Sequence, residues 1–469
     1  MKTSLFLIQR KFRFSLAALL LVLPQTLTLA QELSPVRQLG QATATNPYQL
    51  TPEGGVRPRE RELAGNTIAG SSAVGSREST SELSPWFEGM SDLAEQSIKS
   101  SAWGLHYGIT TSYEYDDNFT LGRPTIFPPG GYSEGDTSIV SVSPYAVLTY
   151  GEPGHGVDFQ LRYSPEYRWY SNENLDPSLN HTLSADLGIN GTRSRVTVGL
   201  SYSHTEGANI EVGDLVTADL IGLQIGASYD ISDKTSVGAT VSTQISEYDI
   251  FNSFSIFGVG LYADYAVTPK TRLGLGVGYD HTEQKRNQAA DAFNLNLRLN
   301  WAATAKMGVF GSFGVEQREY EGGASTTSPI FRLGISYNPT DKAALQLAAY
   351  RKALPSIGIN DGMYYGTGVA VTGTYLVTSK ISANLSIGFE NSEYDSTVSD
   401  VAVDREDNYF FIRPTINYWI SEHLSLSLFY QYSNNDSSGL SRNSITSGTT
   451  PLTNSYERNQ FGVSLTLAY

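Results

Sequence analysis

From Trp103 to Tyr469 apolar and polar residues alternate one by one, segment after segment. In the last segment Phe461, Val463, Leu465, Leu467 and Tyr469 share one parity, and Gln460, Gly462, Ser464, Thr466 and Ala468 the other. Leu273, Leu275, Val277 and Tyr279 repeat the pattern, as do Phe293, Leu295, Leu297, Leu299 and Trp301. A period of two means strands with one apolar and one polar face. About eighteen such segments, each of roughly 9–14 residues, suit tilted strands that cross a bilayer. They begin near 104, 137, 157, 179, 195, 217, 235, 254, 271, 291, 306, 328, 343, 363, 381, 408, 424 and 456. Their connections alternate between short (SDKT, TPKT, ATAK, PTDK) and long and polar (116–135, 171–177, 206–214, 283–290, 352–362, 395–407, 433–455). The expected fold is all-β: an antiparallel up-and-down transmembrane β-barrel of about 18 strands, with 16 also compatible.

One device recurs in the short connections. An aromatic residue is followed at the third position by Ser or Thr and at the fifth by a base: Tyr229–Ser232–Lys234, Tyr265–Thr268–Lys270, Trp301–Thr304–Lys306, Tyr337–Thr340–Lys342, Tyr375–Thr378–Lys380 and Tyr418–Ser421–His423. The aromatic residues are spaced 36, 36, 36, 38 and 43 apart, one hairpin per interval. An aromatic ring suits a membrane interface, with its body near lipid and its polar tip near water. The six aromatics are therefore expected to form a periplasmic girdle, with the Ser or Thr making the tight turn. A solenoid also gives a fixed period of this size. It needs neither an interfacial ring at each turn nor connections of alternating length.

The first 30 residues read as a secretory signal: a basic region with Lys2, Arg10, Lys11 and Arg13, then FSLAALLLVLPQTLTLA, then cleavage after Ala30. The competing reading is an uncleaved anchor helix, against which Pro24 and Gln25 stand. Residues 31–102, rich in Gly, Ser, Thr and Pro up to about 85, read as a flexible, mostly disordered periplasmic segment with a candidate short helix over 86–100. Residues 103–469 are the expected barrel. Signal cleavage removes four positive charges from a chain whose net charge is already -15, which argues against a nucleic-acid partner. The chain has no cysteine.

The closing FGVSLTLAY resembles the C-terminal assembly signal of bacterial outer-membrane β-barrels, although most members end in Phe and this chain ends in Tyr469. More narrowly, signal plus barrel resemble the loosely defined family of beta-barrel porins, some of them associated with exopolysaccharide systems. The resemblance implies an outer-membrane location and outer-membrane lipid and lipopolysaccharide as partners. It also implies contact with the barrel-assembly machinery through Phe461, Val463, Leu465, Leu467 and Tyr469.

With apolar faces toward lipid, the other faces line the interior. Candidate pore-lining charges are Asp158, Arg162, Glu166, Arg168, Asp264, Arg298, Glu316, Arg332, Glu390 and Arg413. In a wet lumen opposed charges orient polar solutes; alternatively they pair along the wall and stabilise it. Tyr170, Tyr262, Tyr350, Tyr409, Phe411 and Trp419 also fall on inward parity, either as a sugar slide or as packing residues.

The six histidines lack the spacing of a hydrolase. Asp280–His281 is the only adjacent Asp–His pair, and neighbours in a strand face opposite ways. No enzyme and no cofactor are expected. The acidic stretches YEYDDNF (113–119) and YDSTVSDVAVDREDN (394–408) read as solvated loop charge or as weak divalent-cation sites without calcium-loop spacing. The first functional expectation is a porin-like channel for passive diffusion of small polar solutes. The alternatives are a barrel serving exopolysaccharide export, with periplasmic partners docking on 31–102, and a structural or surface-binding barrel with a blocked pore.

Overall fold

The computed structural model describes residues 103–121, 135–152, 154–358, 362–394, 405–438 and 455–469. The signal, the 31–102 segment with its candidate helix, parts of four long loops and residue 153 lie outside these residues. Every regular element described is a strand. β1 (Trp103–Asp116), β2 (Thr137–Glu152), β3 (His155–Tyr170), β4 (Ser178–Asn190), β5 (Ser194–Asn209) and β6 (Asp214–Ser232) come first. β7 (Thr235–Tyr248), β8 (Phe254–Thr268), β9 (Thr271–Gln284), β10 (Ala290–Thr304), β11 (Met307–Tyr320) and β12 (Ser325–Thr340) follow. β13 (Ala343–Pro355), β14 (Met363–Thr378), β15 (Ile381–Tyr394), β16 (Glu406–Trp419), β17 (Leu424–Ser438) and β18 (Tyr456–Ala468) complete the set. Each pairs antiparallel with its chain neighbours, and β1 pairs with β18, closing an 18-stranded barrel.

Closure runs from Gly108↔Ala468 to Asp116↔Gln460. Tyr469 finishes it: its N–H donates to Tyr107 O (2.8 Å) and its carbonyl accepts from Tyr107 N–H (3.0 Å). Its ring stacks on His423 and Tyr107 at 4.8 and 5.9 Å. A closed sheet leaves no unpaired edge, which a lipid-facing sheet requires.

The short turns share one construction. The N–H of Lys234, Lys270, Lys306, Lys342, Lys380 and His423 donates to the Ser or Thr hydroxyl two residues earlier, at 3.1–3.4 Å. Each turn is then tied to the next. The carbonyl of the basic residue accepts from the N–H of the residue after the following aromatic: Lys234 from Ala266, Lys270 from Ala302, Lys306 from Asn338, Lys342 from Leu376 and Lys380 from Trp419, at 2.7–2.9 Å. The repeat is thus a hydrogen-bonded rim. All six aromatics point outward and are exposed.

The wall is tightened where an inward ring lies flat over a cross-strand glycine: Tyr145 over Gly108, Phe310 over Gly334, Tyr350 over Gly368 and Phe429 over Gly462. A Cβ at Gly108 would stand 2.6 Å from the Tyr145 hydroxyl. Such rings replace the packing that glycine lacks.

At the long-loop end the strands run further than strict alternation indicates. Residues 206–209, 352–355 and 433–438, expected as loop, belong to β5, β13 and β17. Above the belt neither face meets lipid, so the two-residue pattern lapses while the ladder continues.

Candidate functional site

The barrel has two surfaces of opposite character. Outside, Leu105, Leu261, Leu275, Leu295 and Val315 are more than half exposed. Inside, serine, asparagine, glycine and charged residues face the lumen, and many pair along the wall. Arg168 Nη2 stands 2.7 Å from Glu166 Oε2, and Arg318 Nη2 2.8 Å from Glu316 Oε1. Arg298 Nε donates to Asp264 Oδ1 (3.1 Å) while its guanidinium covers the Tyr262 ring at 4.2 Å. Asp158 accepts from Asn190 Nδ2 at 2.9 Å, and Arg162 lies 5.6 Å from the Tyr145 ring. Glu390 accepts from the Tyr350 hydroxyl and, at 2.9 Å, from Ser392 Oγ. Arg413 covers Phe429 at 4.1 Å and donates to Gln431 Oε1 at 3.4 Å. Arg332 sits in register between Ser312 and Tyr350.

Several interior charges fall within segments read as acidic loop. Asp116, fully buried, holds Arg458 through both carboxylate oxygens across the β1–β18 seam. Glu114 accepts from Gln460 Nε2 at 2.7 Å. Asp407, also fully buried, bonds Arg405 and accepts from Ser437 Oγ at 2.6 Å. Their parity was the available signal: Glu114 and Asp116 continue the inward row of Thr110 and Ser112. Among the described residues no group of His, Asp and Glu is placed to hold a metal ion.

The long-loop end does not stand open. The β5–β6 tip, Ile210 to Gly213, folds into the lumen: Ile210 is 2%, Glu211 3% and Val212 0% exposed. It reaches the β13–β14 connection, eight strands round an 18-stranded ring and so nearly opposite. There Glu211 Oε1 accepts from Ser356 Oγ (2.5 Å) and from Ile357 N–H (3.1 Å). Arg405, before β16, donates to the Glu211 carbonyl at 2.5 Å. The β7–β8 tip joins the same knot. Asn252 N–H donates to Ile357 O (2.8 Å), and Asn252 Nδ2 to Gln284 Oε1 (2.7 Å).

Apolar contacts complete the closure. Leu121, from the β1–β2 loop, and Ile210 pack on Ala348, Tyr350, Tyr409, Phe411 and Tyr456. Val212, Phe251 and Ile357 pack on Val216, Ala218, Leu220, Tyr248 and Phe254. The expected inward aromatics Tyr350, Tyr409 and Phe411 therefore belong to packing under the loops. Tyr170 packs on Phe119 (5.2 Å), and Trp419 sits at the short-turn rim. The sequence signal for this knot was the loss of alternation in DLVTADL (214–220), where the inward positions Val216, Ala218 and Leu220 are apolar too.

Beside the folded-in hairpin remains a cavity of about 140 Å³. Glu114, Glu166, Arg168 and Arg458 line one side; Ile139, Val216 and Leu220 line another.

The outer face at this end carries its own aromatic ring system. Tyr202 and His204 Nδ1 both meet Asp219 Oδ1, at 2.9 and 3.0 Å. Tyr279 and His281 Nδ1 meet Asp291 Oδ1 in the same way, at 2.6 and 2.8 Å. Tyr115 and Tyr430 donate to Asp136 and Asn459. These hydroxyls mark a second level at which rings meet polar groups.

No family model matches the chain, and no curated protein matches it. Solved structures do. The outer membrane protein OpdK from Pseudomonas aeruginosa is 9% identical with a TM-score of 0.41, over 78% of this chain and 99% of that one. OpdQ from Pseudomonas aeruginosa is 10% identical with a TM-score of 0.41, over 78% and 98%. The FrpB iron transporter from Neisseria meningitidis is 8% identical with a TM-score of 0.40, over 79% and 82%. Likeness at this level adds nothing to the barrel that the strand pairing already establishes.

Proposed function

We propose that the protein is a porin-like outer-membrane channel, exported by a cleaved signal peptide, that passes small polar solutes down their gradient and rests closed. The observation that carries this reading is a polar lumen inside an apolar, girdled wall, with a loop knot across one mouth. On β10, Phe293 and Trp301 bracket the apolar row eight residues apart. At roughly 3.3 Å per residue and a tilt of about 40° that is a height of about 20 Å, near the apolar band of an outer-membrane barrel. Barrels of this strand number are too wide for side chains from the wall to fill, so the interior holds water wherever loops do not occupy it. Neither a catalytic step nor a cofactor enters this reading. Lipopolysaccharide would meet the tyrosine–carboxylate level, and the assembly machinery the β18 row.

The interlocked loops also favour a second reading, a permanently blocked structural barrel. Liposome swelling separates the two. Full-length protein and its Glu211→Ala variant are reconstituted, and entry of polar solutes of increasing size is followed. A channel with a movable knot gives slow swelling for the native chain and faster swelling for the variant. Folded protein that admits no solute in either form sinks the channel reading and leaves the blocked barrel.

A further inference from the structure

We propose that the short-turn rim is a binding surface for anionic phospholipid headgroups, each turn offering a base to a lipid phosphate. All eight short turns carry a base, in a chain whose net charge is -15. Five are the lysines of the repeated device, Lys234, Lys270, Lys306, Lys342 and Lys380, and Arg193 serves the β4–β5 turn. His155 and His423 take the other two. The turns do not use these lysine side chains for their construction: they are built on the backbone N–H and carbonyl of each base. The five lysines and Arg193 are exposed. Among the described residues none of the six makes an ion pair. Lys306 gives one N–H to Pro339 O, at 2.8 Å. The same turns hold four carboxylates, Glu152, Asp233, Asp341 and Glu422, so permanent cations remain in excess. The turns of Arg193, Lys270, Lys306 and Lys380 hold no carboxylate at all.

What lies between ring and base sets the level of these charges. Ile231, Val267 and Val377 follow their girdle aromatics by two residues, share the outward face and stand about half exposed. Apolar side chains beyond the aromatic ring mean that lipid still meets the wall there, so the bases that follow lie among headgroups. A lysine at that depth lays its stem along the apolar wall and carries its ammonium to the phosphates. Successive bases are two strands apart, about 12 Å along the rim at a strand spacing of about 4.8 Å and a tilt of about 40°, so each can hold its own headgroup. The opposite end has the reverse bias. Its outward polar level is acidic, with Asp136, Asp219 and Asp291 bonded to tyrosine hydroxyls, and Arg351 there is already held by Glu393 at 2.9 Å. A bare phosphodiester at that level meets like charge. The inference rests on the membrane-spanning placement of the proposed reading and not on conduction.

The test is electron paramagnetic resonance of spin-labelled lipids on the full-length protein in phosphatidylcholine bilayers. Phosphatidylglycerol and phosphatidylcholine with the same acyl-chain label report how strongly each is held at the wall. The expected result is phosphatidylglycerol held roughly twofold to fivefold over phosphatidylcholine at low salt, falling toward parity at about 1 M salt. Lys→Gln at all five lysines together with Arg193→Gln should remove the preference, while Lys→Arg at the same five positions keeps it. Unchanged strand circular dichroism shows that the variants fold, as the backbone construction of the turns predicts. No preference in the native chain, or one that survives the glutamine variant, overturns the proposal. So does a preference that inorganic phosphate removes beyond chloride at equal ionic strength, which would make the rim a site for a free anion. A barrel that selects phosphatidylglycerol but never conducts sinks the channel and leaves this inference standing, whereas a conducting barrel without lipid preference does the reverse.

Discussion

The two ends of the barrel are built on different principles. At the short-turn end one solution is repeated: aromatic, hydroxyl turn, base, and a carbonyl that takes the next turn's N–H. At the long-loop end, among the described residues, the β5–β6 and β7–β8 tips bind the β13–β14 connection, and the β5–β6 tip also binds Arg405, each through different residues. A rim that meets the same interface at every hairpin can be repeated. A mouth that must be closed across its diameter needs a different residue at each point of contact. Redundancy at one end and unique contacts at the other predict that single substitutions will be unequal in effect.

The largest effect is expected at the seam beneath the loops. Asp116→Ala leaves Arg458 as an uncompensated buried cation, at a cost of about 3–5 kcal/mol in urea unfolding followed by tryptophan fluorescence. A cost below about 1 kcal/mol would mean that water already reaches the pair, and would weaken the contrast between the ends.

Next comes the knot. Glu211→Gln removes the charge from two hydrogen bonds while keeping the shape of the side chain. At about 1.5–3 kcal/mol for a charged hydrogen bond, the open population should rise roughly 10–100-fold, visible as faster solute entry into liposomes. Between the ends, Gly462→Val forces the Phe429 ring off its cross-strand seat, for about 1–3 kcal/mol of stability with conductance little changed.

The smallest effect is expected at the rim. Thr268→Ala deletes the acceptor of Lys270 N–H in one of six equivalent turns, where water can replace it. The loss should stay under about 1 kcal/mol, and changes at two separate turns should add. A single rim substitution that unfolded the barrel would break the comparison.

This asymmetry also explains what the sequence discloses. Strands and short turns are legible because lipid on one face and water on the other impose alternation and interfacial rings. The strand starts read from the pattern fall within three residues of those in the fold, β6 at Asp214 and β12 at Ser325 being among the widest differences. The inward parity of residues such as Glu166, Arg298 and Arg413 follows from the same rule. Their partners do not, because pairing depends on which strands are neighbours and on rotamers. The knot was least legible. Ile210, Glu211 and Val212 lie in a stretch that reads as an ordinary polar loop, and Ser356 and Ile357 are more than 140 residues away. Only the lapse of alternation at Val216, Ala218 and Leu220 hints that something apolar covers them from within.

The most direct test of the central claim, a lumen closed by the Glu211 contact, is single-channel recording in a planar bilayer. The full-length native chain and Glu211→Gln are compared in the same membrane. The predicted result is a native protein that is mostly silent with brief openings, and a variant with the same unit conductance and an open fraction roughly 10–100 times higher. A native channel that is continuously open, with the variant indistinguishable from it, would contradict the account.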